Sequence, residues 1–183
     1  MTSSDPQDDA ARRPIRIHVR EADLADPADG AALLMLLDAY ARDAMGDGRP
    51  LGRETCNCLV PALRQVADAL VLLAFAANDE AAADWRPVGA AVCFGGFSTF
   101  RARALLNIHD LAVLPGWRRH GIATRLLAAV EAAARARGCC KVTLEVRGDN
   151  AGARRLYDRL GYGAGSSGGD PVHYLFLEKR FVD

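Results

Sequence analysis

Leu111-Ala-Val-Leu-Pro-Gly-Trp-Arg-Arg-His-Gly-Ile-Ala-Thr124 joins two different periodicities. Upstream, Ala104 to Leu114 reads as an apolar strand that ends at Pro115-Gly116. Downstream, from His120 to Arg137, Ile122, Leu126, Leu127, Val130 and Ala134 recur at helical spacing, and Gly138 is the residue type favoured just past a helix end. A strand thus turns directly into a long amphipathic helix. The first turn of such a helix has backbone N–H groups without intrahelical partners and a partial positive charge, which suits a phosphate. Gly121 lets a pyrophosphate approach the backbone, small Ala123 keeps that side clear, and Arg118 and Arg119 add charge. The stretch is neither a P-loop nor a dinucleotide fingerprint, since it has neither G-x-x-x-x-G-K-[ST] nor G-x-G-x-x-G.

The same rules read the flanks. Lys141 to Val146 alternates as a strand and Asn150 to Leu160 reads as a helix closed by Gly161, so strand, helix, strand implies a right-handed parallel crossover. Toward the N-terminus, Ile15 to Val19 alternates as a half-buried strand, and Ala31 to Asp43 is expected as a helix broken by Gly46-Asp-Gly-Arg-Pro50. A short helix is expected from Cys58 to Ala69. Val71 to Phe75 and Pro87 to Phe94 are strands expected to pair as a hairpin across a polar turn at 78–85, and Gly95 to Phe100 reads as a flexible aromatic connection. Gly163 to Gly169 reads as a mobile loop and Val172 to Leu177 as a final strand.

Composition narrows the function classes. The chain has 183 residues, 50% of them apolar, enough for one core without a disulfide or metal staple. Lys and Arg number 23 against 23 acids, a neutrality that argues against a dedicated nucleic-acid binder or a polybasic membrane arm. The neutrality is a cancellation: residues 21–84 carry 4 Arg against 12 acids, a net −8, and residues 85–159 carry 13 basic against 5 acidic residues, a net +8. No apolar run is long enough to span a bilayer, and the polar N-terminus has no leader pattern, so a cytoplasmic location is expected. Residues 1–13 are expected to be a disordered tail and 14–183 a single domain. The five cysteines lack C-x-x-C pairing and nearby His at zinc spacing, so free thiols and no metal are expected.

From residue 14 to 180 the sequence resembles the GCN5-related N-acetyltransferase (GNAT) family, most specifically from Val88 to Tyr162. Arg118-x-x-Gly121-x-Ala123 matches that family's acetyl-CoA pyrophosphate motif, and Asn150-Ala-Gly-Ala-Arg-Arg-Leu-Tyr-Asp-Arg-Leu-Gly-Tyr162 its second cofactor segment. Phe97-Ser-Thr-Phe100 followed by Ile108-His-Asp-Leu-Ala-Val113 looks most like the diamine and thialysine acetyltransferases. The resemblance implies an α/β (α+β) fold with a central mixed, mostly antiparallel twisted sheet of six to seven strands and about four helices. It also implies acetyl-CoA as cosubstrate, and its closer form implies a homodimer.

Carried over residue by residue, Leu111, Ala112 and Val113 would bond the pantetheine arm and polarise the thioester through backbone N–H groups. Arg119, His120, Gly121, Ile122, Ala123 and Thr124 would hold the pyrophosphate, with Arg118, the motif's first residue, also among the cofactor-binding residues. Asn150, also suited to cap its helix, would position the pantetheine, with Gly152 and Ala153 close by. An alkylammonium acceptor lies about 3.4 units from neutral at pH 7, which costs about 4.6 kcal/mol, so a proton acceptor is useful. His109 stands where the diamine subgroup has a glutamate, and histidine as a residue type suits proton uptake near neutrality. Tyr157 occupies the family's general-acid position. Strand alternation sends Asp110 to the face opposite His109 unless a bulge intervenes. Asp110, Tyr40, Asp43 and Glu145 are the candidate substrate-binding residues, with Asp47 beside them, an acidic wall suited to a cationic small-molecule amine. A protein or peptide acetyltransferase and a CoA-binding regulatory module are the alternatives.

Overall fold

The computed structural model describes residues 15–77 and 84–163, in two compact units, one reaching Glu145 and the other starting at Val146. The first unit is a five-stranded sheet in sequential order, β1 (Arg16–Glu21), β2 (Ala69–Ala77), β3 (Arg86–Ser98), β4 (Arg103–Val113) and β5 (Val142–Leu144). The first four strands are antiparallel, and β5 lies parallel to β4 because α3 (Ile122–Ala136) carries the chain back between them. Helices α1 (Pro27–Ala41) and α2 (Arg53–Leu63) complete this unit. α4 (Ala151–Arg159) belongs to the second.

Two apolar faces hold the sheet. Leu33, Leu36 and Leu37 of α1 and Leu63 of α2 cluster with Val71, Leu73, Ala90 and Val92. Fully burying a leucine contributes roughly 1.5–3 kcal/mol, so these few side chains fix α1 on its strands. The expected helical stripe of α3 is buried at Ile122, Leu126, Leu127, Val130 and Ala134. At Gly89 the approach of α3 is close: a Cβ there would lie 2.9 Å from the Ala112 carbonyl and 3.0 Å from Ile122 Cγ2.

Several boundaries differ from the sequence expectation. α1 starts at Pro27, four residues before Ala31, because Asp26 caps Ala28 N–H at 2.9 Å and proline is pre-set for the first turn. α2 runs from Arg53 to Leu63, displaced toward the N-terminus from Cys58–Ala69, since Ala69 already pairs with Phe94. Gly95 to Ser98, expected as a flexible connection, continues β3 by pairing with Leu106 to Arg103, which leaves a turn only at 99–102. β5 is shorter than Lys141–Val146. Among the described residues the strands number five where six to seven were expected. The expected final strand at 172–177, the tail at 1–13, most of the turn at 78–85 and nearly all of the loop at 163–169 lie outside the described residues.

Candidate active site

The site begins where β4 loses a neighbour. β5 pairs with β4 only from Leu106 to Ile108, and from Asp110 to Val113 no strand lies on that side among the described residues. Leu114 N–H donates to the Val88 carbonyl of β3 at 2.9 Å. By alternation, Val113 and Leu111 turn their backbone groups away from β3, toward the open side. Among the described residues no strand pairs with this stretch of edge, and its outward N–H groups suit an extended amide-bearing ligand.

The upstream end of this edge is bulged. Val92 pairs with Asp110 and Cys93 with Ile108, which leaves His109 as an extra residue with no partner across the ladder. The simple alternation of His109 and Asp110 therefore fails, as a bulge allows. His109 is exposed with its ring centroid 5.6 Å from that of Phe94, and Asp110 is half-buried. Burial pushes the Asp110 carboxyl above the ordinary carboxylate range, and the neighbouring His109 opposes that rise. The nearby Cys93 thiol is pushed up to about 12 by burial, which makes it inert as a nucleophile at neutral pH.

The downstream end runs into α3. Pro115–Trp117 form a 3-10 turn, Arg118 is extended, and Arg119 and Gly121 adopt left-handed backbone with φ of 69° and 78°. Arg125 N–H makes the first helical bond, to the Gly121 carbonyl at 3.0 Å. The amides of Ile122, Ala123 and Thr124 therefore precede the hydrogen-bonded ladder, and no side chain caps the helix. A Cβ on Gly121 would meet nothing within 4 Å, so the space before these amides is open. No acid lies in the first turn of α3, and Arg119, His120 and Arg125 are exposed around it. Open amides, positive dipole end and cations fit a pyrophosphate, and the bare β4 edge fits the amide-bearing arm of CoA.

Arg118 is placed differently from its neighbours. Its Nε donates to the Val113 carbonyl at 3.2 Å and its Nη2 to Asp43 Oδ2 at 2.8 Å. Asp43 follows α1 and also accepts from Met45 N–H at 2.9 Å. Those two hydrogen bonds, the backbone one first, hold its carboxyl below the ordinary range. Tyr40, Ala112, Val113, Pro115 and Arg118 line one small cavity at this corner. The structure thus brings together Tyr40, Asp43, Val113 and Arg118. Asp47 is exposed on the following turn. Glu145 is exposed at the end of β5, with Asn107 Nδ2 at 3.5 Å. Sequence reasoning missed Asp38, which accepts from Leu51 N–H at 2.9 Å and pairs with Arg42, folding the α1–α2 connection. It also missed Arg125, whose helical position was legible as the first turn's end.

In the second unit, Asn150 caps α4 by accepting from Ala153 N–H at 3.0 Å, and Gly152 stands one residue into the helix. Tyr157 is buried, its ring 5.9 Å from that of Tyr162. Among the described residues no group of three His, Cys, Asp or Glu side chains could hold a metal ion, and no helix is long and apolar enough to cross a membrane.

The model of the acetyltransferase (GNAT) family matches residues 59–162, more than half of the chain. The chain belongs to this family. An acetyltransferase of Sodalis glossinidius (strain morsitans) is 36% identical over 89 residues, 49% of this chain and 56% of that protein. The chain spans about half the length of the curated relatives it matches. A possible acetyltransferase from Clostridium difficile 630 shares the fold with a TM-score of 0.69 at 18% identity, covering 91% of this chain and 99% of that one. An aminoglycoside acetyltransferase from an uncultured soil metagenomic sample does so with a TM-score of 0.64 at 19% identity, over 89% and 97%. In this GNAT chain, the part matched by the family model includes the bulge, the bare edge, the open helix start and α4.

Proposed function

We propose that this protein transfers an acetyl group from acetyl-CoA directly to a primary amine. The observation that carries the reading is the bare β4 edge leading into the uncapped N-terminus of α3. Acetyl-CoA, when bound, supplies an acetyl group activated as a thioester; its transfer forms a C–N bond, breaks the C–S bond, and requires one proton to leave the amine and one to reach the sulfur. The Leu111 and Val113 amides orient the arm and polarise the carbonyl from the open edge. The amides of Ile122 to Thr124, with Arg119, hold the phosphates. His109, exposed at the bulge, takes the amine's proton. Tyr157 keeps the role of acid that the family resemblance gives it, and Asn150, Gly152 and Ala153 their place along the cofactor.

The acceptor is read as a small cationic amine, in keeping with the likeness to diamine and thialysine acetyltransferases. Asp110 and Glu145 offer it carboxylates, Tyr40 a wall, and Asp43 an indirect contribution through its partner. One solved protein that shares the fold is named as an aminoglycoside acetyltransferase. A homodimer and a cytoplasmic location complete the reading. The test is release of free thiol from acetyl-CoA over a panel of polyamines, lysine analogues, aminoglycosides and peptides. Turnover is expected with a small amine, and Tyr157→Phe should lower kcat about a hundredfold while leaving the Kd for acetyl-CoA within about twofold. Binding without turnover across the panel would indicate a regulatory module, and peptides outcompeting small amines a protein acetyltransferase.

A further inference from the structure

Three arginines stand at or beside the start of α3, and they are not equivalent. Arg119 and Arg125 have no ion pair among the described residues, whereas Arg118 donates to both the Val113 carbonyl and Asp43. Those two acceptors belong to different parts of the site. Val113 ends the open edge of β4, and Asp43 organises the α1–α2 connection, where its carboxylate receives Met45 N–H and its carbonyl receives Gly46 N–H at 2.9 Å. A guanidinium can span them because Nε and Nη2 are donors held at a fixed angle in one plane. An ammonium carries its three donors on one nitrogen and cannot reproduce this coplanar span from two separate atoms.

We propose that Arg118 is a positioning residue that braces the acceptor-side connection, through Asp43, against the end of the β4 edge, through Val113, and leaves the phosphates to Arg119, Arg125 and the α3 amides. It satisfies the outward carbonyl of Val113, so this end of the edge offers its donor, the Val113 N–H, to a ligand. It also fixes how far the 42–51 segment stands from that edge, which sets the acceptor's approach. The inference rests on the acetyl-transfer reading of the same site.

The test compares Arg118→Gln, Arg118→Lys, Asp43→Asn and Arg119→Gln in the full chain, with calorimetric titration of CoA, acceptor KM, and hydrogen exchange at Met45 and Gly46. Arg118→Gln and Arg118→Lys should both raise the acceptor KM about fivefold, the ratio that about 1 kcal/mol carries. Both should speed exchange at Met45 and Gly46 and leave the Kd for CoA within about twofold. Asp43→Asn should do the same, and its effect on KM should coincide with that of Arg118→Gln in the double variant rather than add to it. Only Arg119→Gln should weaken CoA binding. If Arg118→Gln weakens CoA binding as much as Arg119→Gln does and Arg118→Lys restores it, Arg118 is a phosphate ligand and the inference is overturned alone. A wild-type protein that binds no CoA overturns the acetyl-transfer reading, and this inference with it.

Discussion

Helix α1 carries an arginine–aspartate bridge at each end. At its start, Arg20 grips Asp29 with two hydrogen bonds of 2.5 and 2.6 Å, and Asp29 is 3% exposed. Asp29 also accepts from Asp23 N–H at 2.8 Å, and Arg20 lies over the Phe75 ring at 4.8 Å. After its end, Arg118 reaches Asp43 with one hydrogen bond, the guanidinium side chain 48% exposed. In the first bridge the bonds to Asp29 tie β1 and its turn to α1, and Arg20 Nη1 also donates to the Glu21 carbonyl at 3.1 Å. The second spans two parts of the candidate site, and it is the aspartate that differs: the Asp43 side chain is 16% exposed against 4% for Asp29. Equal charges therefore serve different ends, because burial decides whether a pair holds the fold or holds a geometry.

Breaking the first bridge should give the largest effect, and an asymmetric one. Arg20→Ala leaves Asp29 buried with a single amide partner and should cost about 3 kcal/mol in urea unfolding. Asp29→Ala leaves Arg20, already 40% exposed, free to turn to water, and should cost less, about 2 kcal/mol. Equal losses would mean that the pair acts through packing and not through a stranded charge. The Asp29 carboxyl is held low chiefly by its hydrogen bonds from Arg20. Its stabilisation is present above the unfolded carboxylate range and is lost as pH falls through the depressed folded value, so Arg20→Ala should also flatten the acid limb of the stability profile. Arg118→Gln, at the second bridge, should change unfolding stability by no more than about 0.5 kcal/mol. A loss near that of Arg20→Ala would erase the contrast.

The two bridges were unequally hidden in the sequence. Neither spacing announces a pair: Arg118 and Asp43 are 75 residues apart, and only the packing of α1 along β4 brings them together. In the motif Arg118 stands with the candidate phosphate-binding residues, and its hydrogen bonds to Asp43 and the Val113 carbonyl are legible only in the fold, because a motif names residues in order and says nothing of where a long side chain turns. What periodicity could see was seen: the apolar stripe of α3, the alternation of β1, the parallel return of β5. Gly95-Gly-Phe-Ser98 misled because glycines read as flexibility, whereas here Gly96 makes room for Leu105, whose Cδ1 would lie 2.9 Å from a Cβ. The bulge at His109 left no local signal, since an extra residue in a strand shows only against its partner.

That bulge supplies the smallest effect and the one most specific to the site. Asp110 is held above the ordinary carboxylate value by burial, so at neutral pH its charge costs stability rather than adding to it. An acid whose folded pKa is raised binds its proton more tightly in the folded state. The cost is therefore absent below the unfolded value, near 3.8, grows as pH rises from there through the folded value, and is then constant. Asp110→Asn should stabilise the protein modestly at pH 7 and not at all at pH 3, the reverse of any substitution at Asp29, whose charge the fold favours. If the carboxylate serves the acceptor amine, the same substitution should raise the acceptor KM while it raises the unfolding midpoint, because a charge kept at a cost in stability is kept for binding. A stabilised variant with unchanged acceptor KM would remove Asp110 from the acceptor site and leave the proton transfer at the bulge to His109.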